Sequence, residues 1–174
     1  MMKSIAEFYE GAQRHVGYAN AWFEYYRPKA IADHICYKCA SSEEFEQMRT
    51  MLEKESVFVY QSIISNRRIA IIRLKNSIAT TLGEVWFVEL SDQKVDGSQR
   101  SEFDHIEIYP ETGSMEDLVR ILEEKGVIVE KVSRPHHTTF DVAIHESFKT
   151  RIEPEALIEK IIRDELTCSS KKSL

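Results

Sequence analysis

A short motif occurs twice in this chain, and the elements after it occur twice in the same order. Asp33-His34-Ile35 recurs as Asp104-His105-Ile106. Each copy lies in a short apolar stretch, IADHICYKC and FDHIEIY, that reads as a strand. An amphipathic helix is expected after each. FEQMRTMLEKES, from Phe45, superposes at a constant offset on MEDLVRILEEKG, from Met115. The offset sets Phe45 on Met115, Met48 on Leu118, Met51 on Ile121 and Leu52 on Leu122, one apolar helical stripe in each copy. Ser41-Ser42-Glu43-Glu44 fits a capping box, Ser114 with Asp117 is a similar start signal, and Ser56 and Gly126 mark the ends.

Three strand-like runs follow each helix. The first half has VFVYQSII (57–64), RRIAIIRL (67–74) and EVWFVEL (84–90), with Ser65-Asn66 as a hairpin turn. The second has VIVEKV (127–132), TTFDVAI (138–144) and SFKTRIE (147–153), with His145-Glu146 turning the last pair. The expected fold is therefore α+β, with two βαβββ modules in tandem. Residues 1–30 form an N-terminal helical extension, 31–90 the first module, 91–102 a polar linker and 103–153 the second module. Residues 154–174 form a C-terminal helix with Pro154 at its first position and a frayed tail.

A βαβββ module has a curved sheet and cannot close a site alone. Two copies related by a pseudo-twofold bring equivalent residues to one cavity. His34 and His105 are such a pair on the first strands, and Glu89 and Glu153 end the last strands. Two imidazoles and two carboxylates suit a divalent ion (Zn, Ni, Mn, Co or Fe) and leave positions open for substrate. Glu107 shares a strand face with His105 and is a rival ligand or a general base. Glu153 is a second candidate for that catalytic role. Lys38, Arg151 and His137 are candidate substrate contacts, His137 as part of the loop pair His136-His137. Cys36 and Cys39 have the spacing of a redox or zinc motif, but a strand points them to opposite faces and no second pair exists.

Composition narrows the partners. A net charge of −6 with scattered basic residues argues against nucleic acid. No apolar run approaches the roughly 20 residues of a membrane span, and the N-terminus lacks the apolar stretch of a signal peptide. Three cysteines, an odd number, suit a reducing compartment, so a cytoplasmic protein is expected. It would be a monomer or homodimer acting on a small molecule.

The arrangement resembles the vicinal oxygen chelate superfamily of glyoxalase I, extradiol dioxygenases and methylmalonyl-CoA epimerase. ADHICYKC, the FVEL strand and FDHIEIYP look more closely like the YecM-like family, over roughly residues 31–165. The superfamily resemblance implies a glyoxalase-like cavity with metal ligands on the first and last strands of each module, matching His34, Glu89, His105 and Glu153. The closer family tends to carry a histidine where this chain has Glu153. The resemblance implies a metal-dependent isomerase or lyase that stabilises an enolate or enediolate. A dioxygenase using non-haem Fe(II), or a non-catalytic protein that sequesters a small molecule, is the alternative.

Overall fold

A computed structural model describes residues 2–64, 66–133 and 137–171, with side chains of the last helix described through Asp164. Ser65, His136 and the side chain of Cys168 lie outside the described residues. The N-terminal stretch is helix α1 (Ile5–Tyr26), capped by the Ser4 side chain accepting from the Glu7 amide. The first module is β1 (Ala30–Lys38), α2 (Ser42–Glu53), β2 (Ser56–Ile64), β3 (Arg67–Thr80) and β4 (Gly83–Ser91). The second is β5 (Glu102–Pro110), α3 (Met115–Glu124), β6 (Glu130–Ser133), β7 (Thr138–His145) and β8 (Phe148–Ile152), followed by α4 (Leu157–Lys171). The two βαβββ modules expected from the repeat are both present.

All the strands join one eight-stranded sheet in the order β2-β3-β4-β1-β5-β8-β7-β6. Within each module the first strand pairs in parallel with the last, β1 with β4 and β5 with β8. The modules meet where β1 and β5 pair antiparallel. The two strands that carry the repeated motif are thus neighbours at the centre of the sheet.

One face of the sheet is the core. Ile35, Tyr37, Val88, Leu90, Ile106 and Ile108 point to it and are buried with the apolar stripes of α1, α2 and α3. On α1 the buried residues are Phe8, Ala12, Val16, Ala19 and Phe23, one face at helical spacing. Burying a side chain the size of Phe or Val contributes about 1.5–3 kcal/mol, so this face is what holds the extension on the sheet. Gly11 allows the close approach, because a Cβ there would stand 2.8 Å from the ring of Phe103.

Several boundaries differ from expectation. The second capping box forms in full, but Glu44 turns its carboxylate to the Ala40 amide and the Tyr37 hydroxyl instead of to its own cap residue. α2 does begin at Ser42, directly after the Ser41 cap that the capping-box pattern marks, and the Ser41 hydroxyl accepts from the Glu44 amide. β6 starts at Glu130, leaving Val127–Val129 outside the strand: it is an edge strand paired only to β7, and that ladder begins at Glu130. α4 starts at Leu157, not at Pro154, because the Leu157 amide donates to Asp33 Oδ2 at 3.0 Å and the Asp33 carboxylate supplies the helix start. The helix continues to Lys171, into the stretch expected to fray.

Candidate metal centre

The site is built by two bulges in the central strand pair. Ala32 faces Ile108 and Ile35 faces Ile106, so Asp33 and His34 together oppose the single residue Glu107. One step along, Cys36 faces His105 and Tyr37 faces Phe103, leaving Asp104 as the extra residue on β5. In a flat strand, adjacent residues point to opposite faces. A bulge turns two successive side chains toward the same side. Each aspartate can therefore hold the histidine that follows it. Asp33 Oδ2 lies 2.8 Å from His34 Nδ1, and Asp104 Oδ2 lies 2.8 Å from His105 Nδ1.

With Nδ1 engaged, both histidines offer Nε2. The rings are 6.0 Å apart between centroids at 69°. His34 is fully buried, and its Nε2 has no hydrogen-bond partner among the described residues. It stands 3.6 Å from Glu107 Oε2 and 3.7 Å from Glu89 Oε2, too far to hydrogen-bond. His105 Nε2 is 3.9 Å from Glu107 Oε2. Two sets of donor atoms each lie within 4.8 Å of one another: His34, His105 and Glu107, and Cys36, Glu89 and His105. An orphaned buried nitrogen beside carboxylates is what a divalent cation would satisfy, so these residues fit one.

Protonation follows from the same neighbours. Burial works against a charged His34, but Glu107, Asp33 and Glu89 outweigh it and hold the imidazole well above its ordinary value. Burial and the adjacent Arg151 push His105 down to about 4, keeping it neutral near pH 7. Burial, reinforced by Glu153, Glu89 and Asp33 against the attraction of His34, raises Glu107 to about 8. Glu89 goes the other way. The histidines overcome its desolvation and hold it well below the carboxylate range.

Above the cluster lies a cavity of roughly 360 Å³. Glu89 and Glu107 face into it, with Arg151, Glu153 and His137 on its wall. Ile69, Ile71 and Tyr60 line the first-module side, and Leu157, Lys160 and Ile161 of α4 form another wall.

The structure distributes the expected residues unevenly. His34, Glu89, His105 and Glu107 come together as described. Glu153 belongs to neither set of close donors. It sits just past the end of β8, 3.9 Å from His137 Nε2, on the cavity wall. Register explains why. Cys36 of β1 pairs with Glu89, and its equivalent Glu107 of β5 pairs with Arg151. The counterpart of Glu89 is thus Arg151, two residues before Glu153. Arg151 is clamped by Asp141 in two hydrogen bonds of 2.8 and 2.9 Å and reaches 3.5 Å from His105 Nε2. Lys38 bonds Asp104 and is not among the cavity-lining residues.

Four contributors, Asp33, Asp104, Cys36 and Asp141, are not among the site residues expected from the sequence. Asp33 and Asp104 were visible inside the recurring tripeptide itself. Cys36 was set aside with Cys39; Cys39 does sit in the apolar core, but Cys36 faces the site and donates to Glu89 Oε1 at 3.2 Å. Its position two residues after His34 was the available signal. Asp141 had none beyond being an acid in an apolar strand.

The family model described as YecM protein matches residues 2–160. The chain belongs to the YecM family. No curated protein matches. A solved structure described as "Structural Genomics, Protein EC4020" is 20% identical with a TM-score of 0.68, covering 87% of each chain. This YecM-family chain is also similar to methylmalonyl-CoA epimerase in complex with methylmalonyl-CoA and NH4+, at 16% identity and a TM-score of 0.41, over 73% of this chain and 98% of that one. Similarity extends to the fosfomycin resistance protein FosX from Mesorhizobium loti, at 11% identity and a TM-score of 0.28, over 74% and 94%. The fold is a tandem pairing of two βαβββ modules in one sheet. Among the described residues no helix is long and apolar enough to cross a membrane.

Proposed function

We propose that this YecM-family chain is a divalent-metal-dependent enzyme that moves a proton on a small anionic, oxygen-bearing molecule, as an isomerase or lyase does. The observation that carries this reading is His34 Nε2, fully buried, unpartnered among the described residues, and set between Glu89 and Glu107 beneath a cavity. His34, His105 and Glu89 would hold the ion, with Asp33 and Asp104 fixing the ring orientations. When bound, a divalent ion supplies Lewis-acid polarisation of the substrate's oxygens.

The chain's own groups supply the rest. Arg151 keeps its charge, because the Asp141 carboxylate outweighs its burial, and it faces the cavity. It suits an anionic substrate group by paired donation. Glu107 faces the cavity beside the two histidines, where its carboxyl group can take up and return a proton as a general acid–base does. Glu153 lines the same cavity and would be a second carboxylate able to take up a proton there. Ile69, Ile71 and Leu157 limit water beside the reacting carbon.

The test begins with elemental analysis of protein purified without a nickel column. One equivalent of a divalent ion is expected, with loss in His34→Ala and His105→Ala. The loaded protein is then incubated in D2O with small 2-oxo and 2-hydroxy acids and followed by NMR. Metal-dependent exchange of the proton beside the carbonyl, absent in Glu107→Gln, is expected. Metal retention in both histidine variants, or stoichiometric ligand binding without exchange, overturns the reading.

A further inference from the structure

We infer that the metal centre contains a sulfur donor, Cys36, making it a mixed sulfur–nitrogen–oxygen site that selects Zn2+ or Co2+ over Mn2+. The inference rests on the proposed metal site and deepens it by naming a ligand and the class of ion.

Cys36 is the middle member of a row across three adjacent strands. Its backbone faces Glu89 on β4 and His105 on β5. The side chains follow: Sγ lies 3.2 Å from Glu89 Oε1, and the donor atoms of Cys36, Glu89 and His105 are all within 4.8 Å of one another. Ligands bonded to zinc at about 2.0–2.3 Å sit roughly 3.3–3.8 Å apart, and the 3.2 Å between Cys36 Sγ and Glu89 Oε1 is already close to that spacing. A second observation points into the same space. His34 Nε2, at 0% exposure and unpartnered among the described residues, stands 3.7 Å from the other oxygen of Glu89. Cys36, Glu89 and His105 therefore supply three mutually close donors, and the orphaned His34 nitrogen flanks the far oxygen of the same Glu89 carboxylate.

Chemistry favours the thiol as ligand over an inert core residue. Cys36 is fully buried, yet it faces carboxylates instead of the apolar cluster that encloses Cys39. On metal binding the S–H bond breaks, the sulfur keeps the electron pair as thiolate, and the proton passes to buffer. No change of oxidation state is involved. Thiolate shifts preference toward zinc and cobalt, away from ions that prefer all-oxygen shells. It also frees Glu107 from ligand duty.

The experiment titrates CoCl2 into metal-free full-length protein carrying Cys168→Ser, under reducing, anaerobic conditions. A thiolate-to-cobalt charge-transfer band in the near ultraviolet should grow to one equivalent and be absent from the same protein with Cys36→Ser, whose folding is checked by circular dichroism. Zn2+ affinity should fall on the order of tenfold to a hundredfold in Cys36→Ser, with a smaller change for Mn2+. X-ray absorption of the zinc-loaded protein with Cys36 intact should show one sulfur at about 2.3 Å, independently of how any variant folds. Cobalt bound at one equivalent without the band, a band that survives Cys36→Ser, or an all-nitrogen-and-oxygen zinc shell overturns the inference and leaves the metal-enzyme reading standing. Failure to bind any divalent ion, manganese, nickel and iron included, overturns both.

Discussion

Cys36 of β1 and Glu107 of β5 occupy equivalent places in the two modules, each facing the bulged Asp–His pair of the opposite strand. A twofold relation between modules therefore produces a centre whose two sides differ in chemistry. One side offers a thiol and the carboxylate of Glu89, the other a carboxyl group and the guanidinium of Arg151.

Removing the carboxylate behind a ligating histidine should weaken metal binding without removing a ligand. Asp33→Asn and Asp104→Asn are each expected to lower affinity about 10–100-fold, measured by competition with a metallochromic chelator. Unchanged affinity in both would mean that the ring orientations are set by packing alone.

Asp33 also carries the start of α4 through the Leu157 amide. Asp33→Ala should cost about 1 kcal/mol of helix-end stability. Hydrogen exchange in the first turn of α4 should speed up by roughly fivefold, since each 1.4 kcal/mol corresponds to tenfold. Asp104→Ala is the control and should leave α4 unaffected.

Metal-free protein should lose stability as pH rises from about 6.5 to about 8. Glu107, raised from 4.5 to about 8, keeps a proton that the unfolded chain has already released, and that contribution disappears as pH passes through about 8. His105, lowered from 6.5 to about 4, contributes the opposite trend, but only between those two values. Thermal melts in chelator across this range check the slope. Divalent ion at 100 times its Kd should restore about 2.7 kcal/mol at pH 8.

Asp141 is 5% exposed and bonds Arg151 and Lys149. Asp141→Ala leaves Arg151 charged and poorly partnered, with an expected loss of about 3 kcal/mol in urea unfolding. Salt bridging outweighs burial and lowers Asp141 from 3.8 to about 2. Its contribution is therefore complete above 3.8 and lost as pH falls through about 2. An unfolding midpoint unchanged at pH 7 would count against this pair as a structural clamp.

The repeat made the modules, their order and the histidine pair legible, because helical and strand periods are written locally. The bulges were not. One extra residue in a ladder leaves no mark in the chain, yet it set Asp33 beside His34 and Asp104 beside His105. The equivalence of Glu89 and Arg151 was hidden for a similar reason. Equivalence on the last strands depends on register against the first strands, and counting from strand ends selected Glu153 instead. Cys36 was discounted through its spacing from Cys39, a relation along the chain that outweighed its relation across the strands.

The join between the modules has a consequence for evolvability. Were each module a separate subunit of a homodimer, exact symmetry would impose every substitution twice, giving a thiol on both sides or a carboxyl on both. Carrying both halves on one chain lifts that coupling. Position 36 and position 107, like positions 89 and 151, can then mutate independently, so ion preference and substrate charge become separately selectable traits.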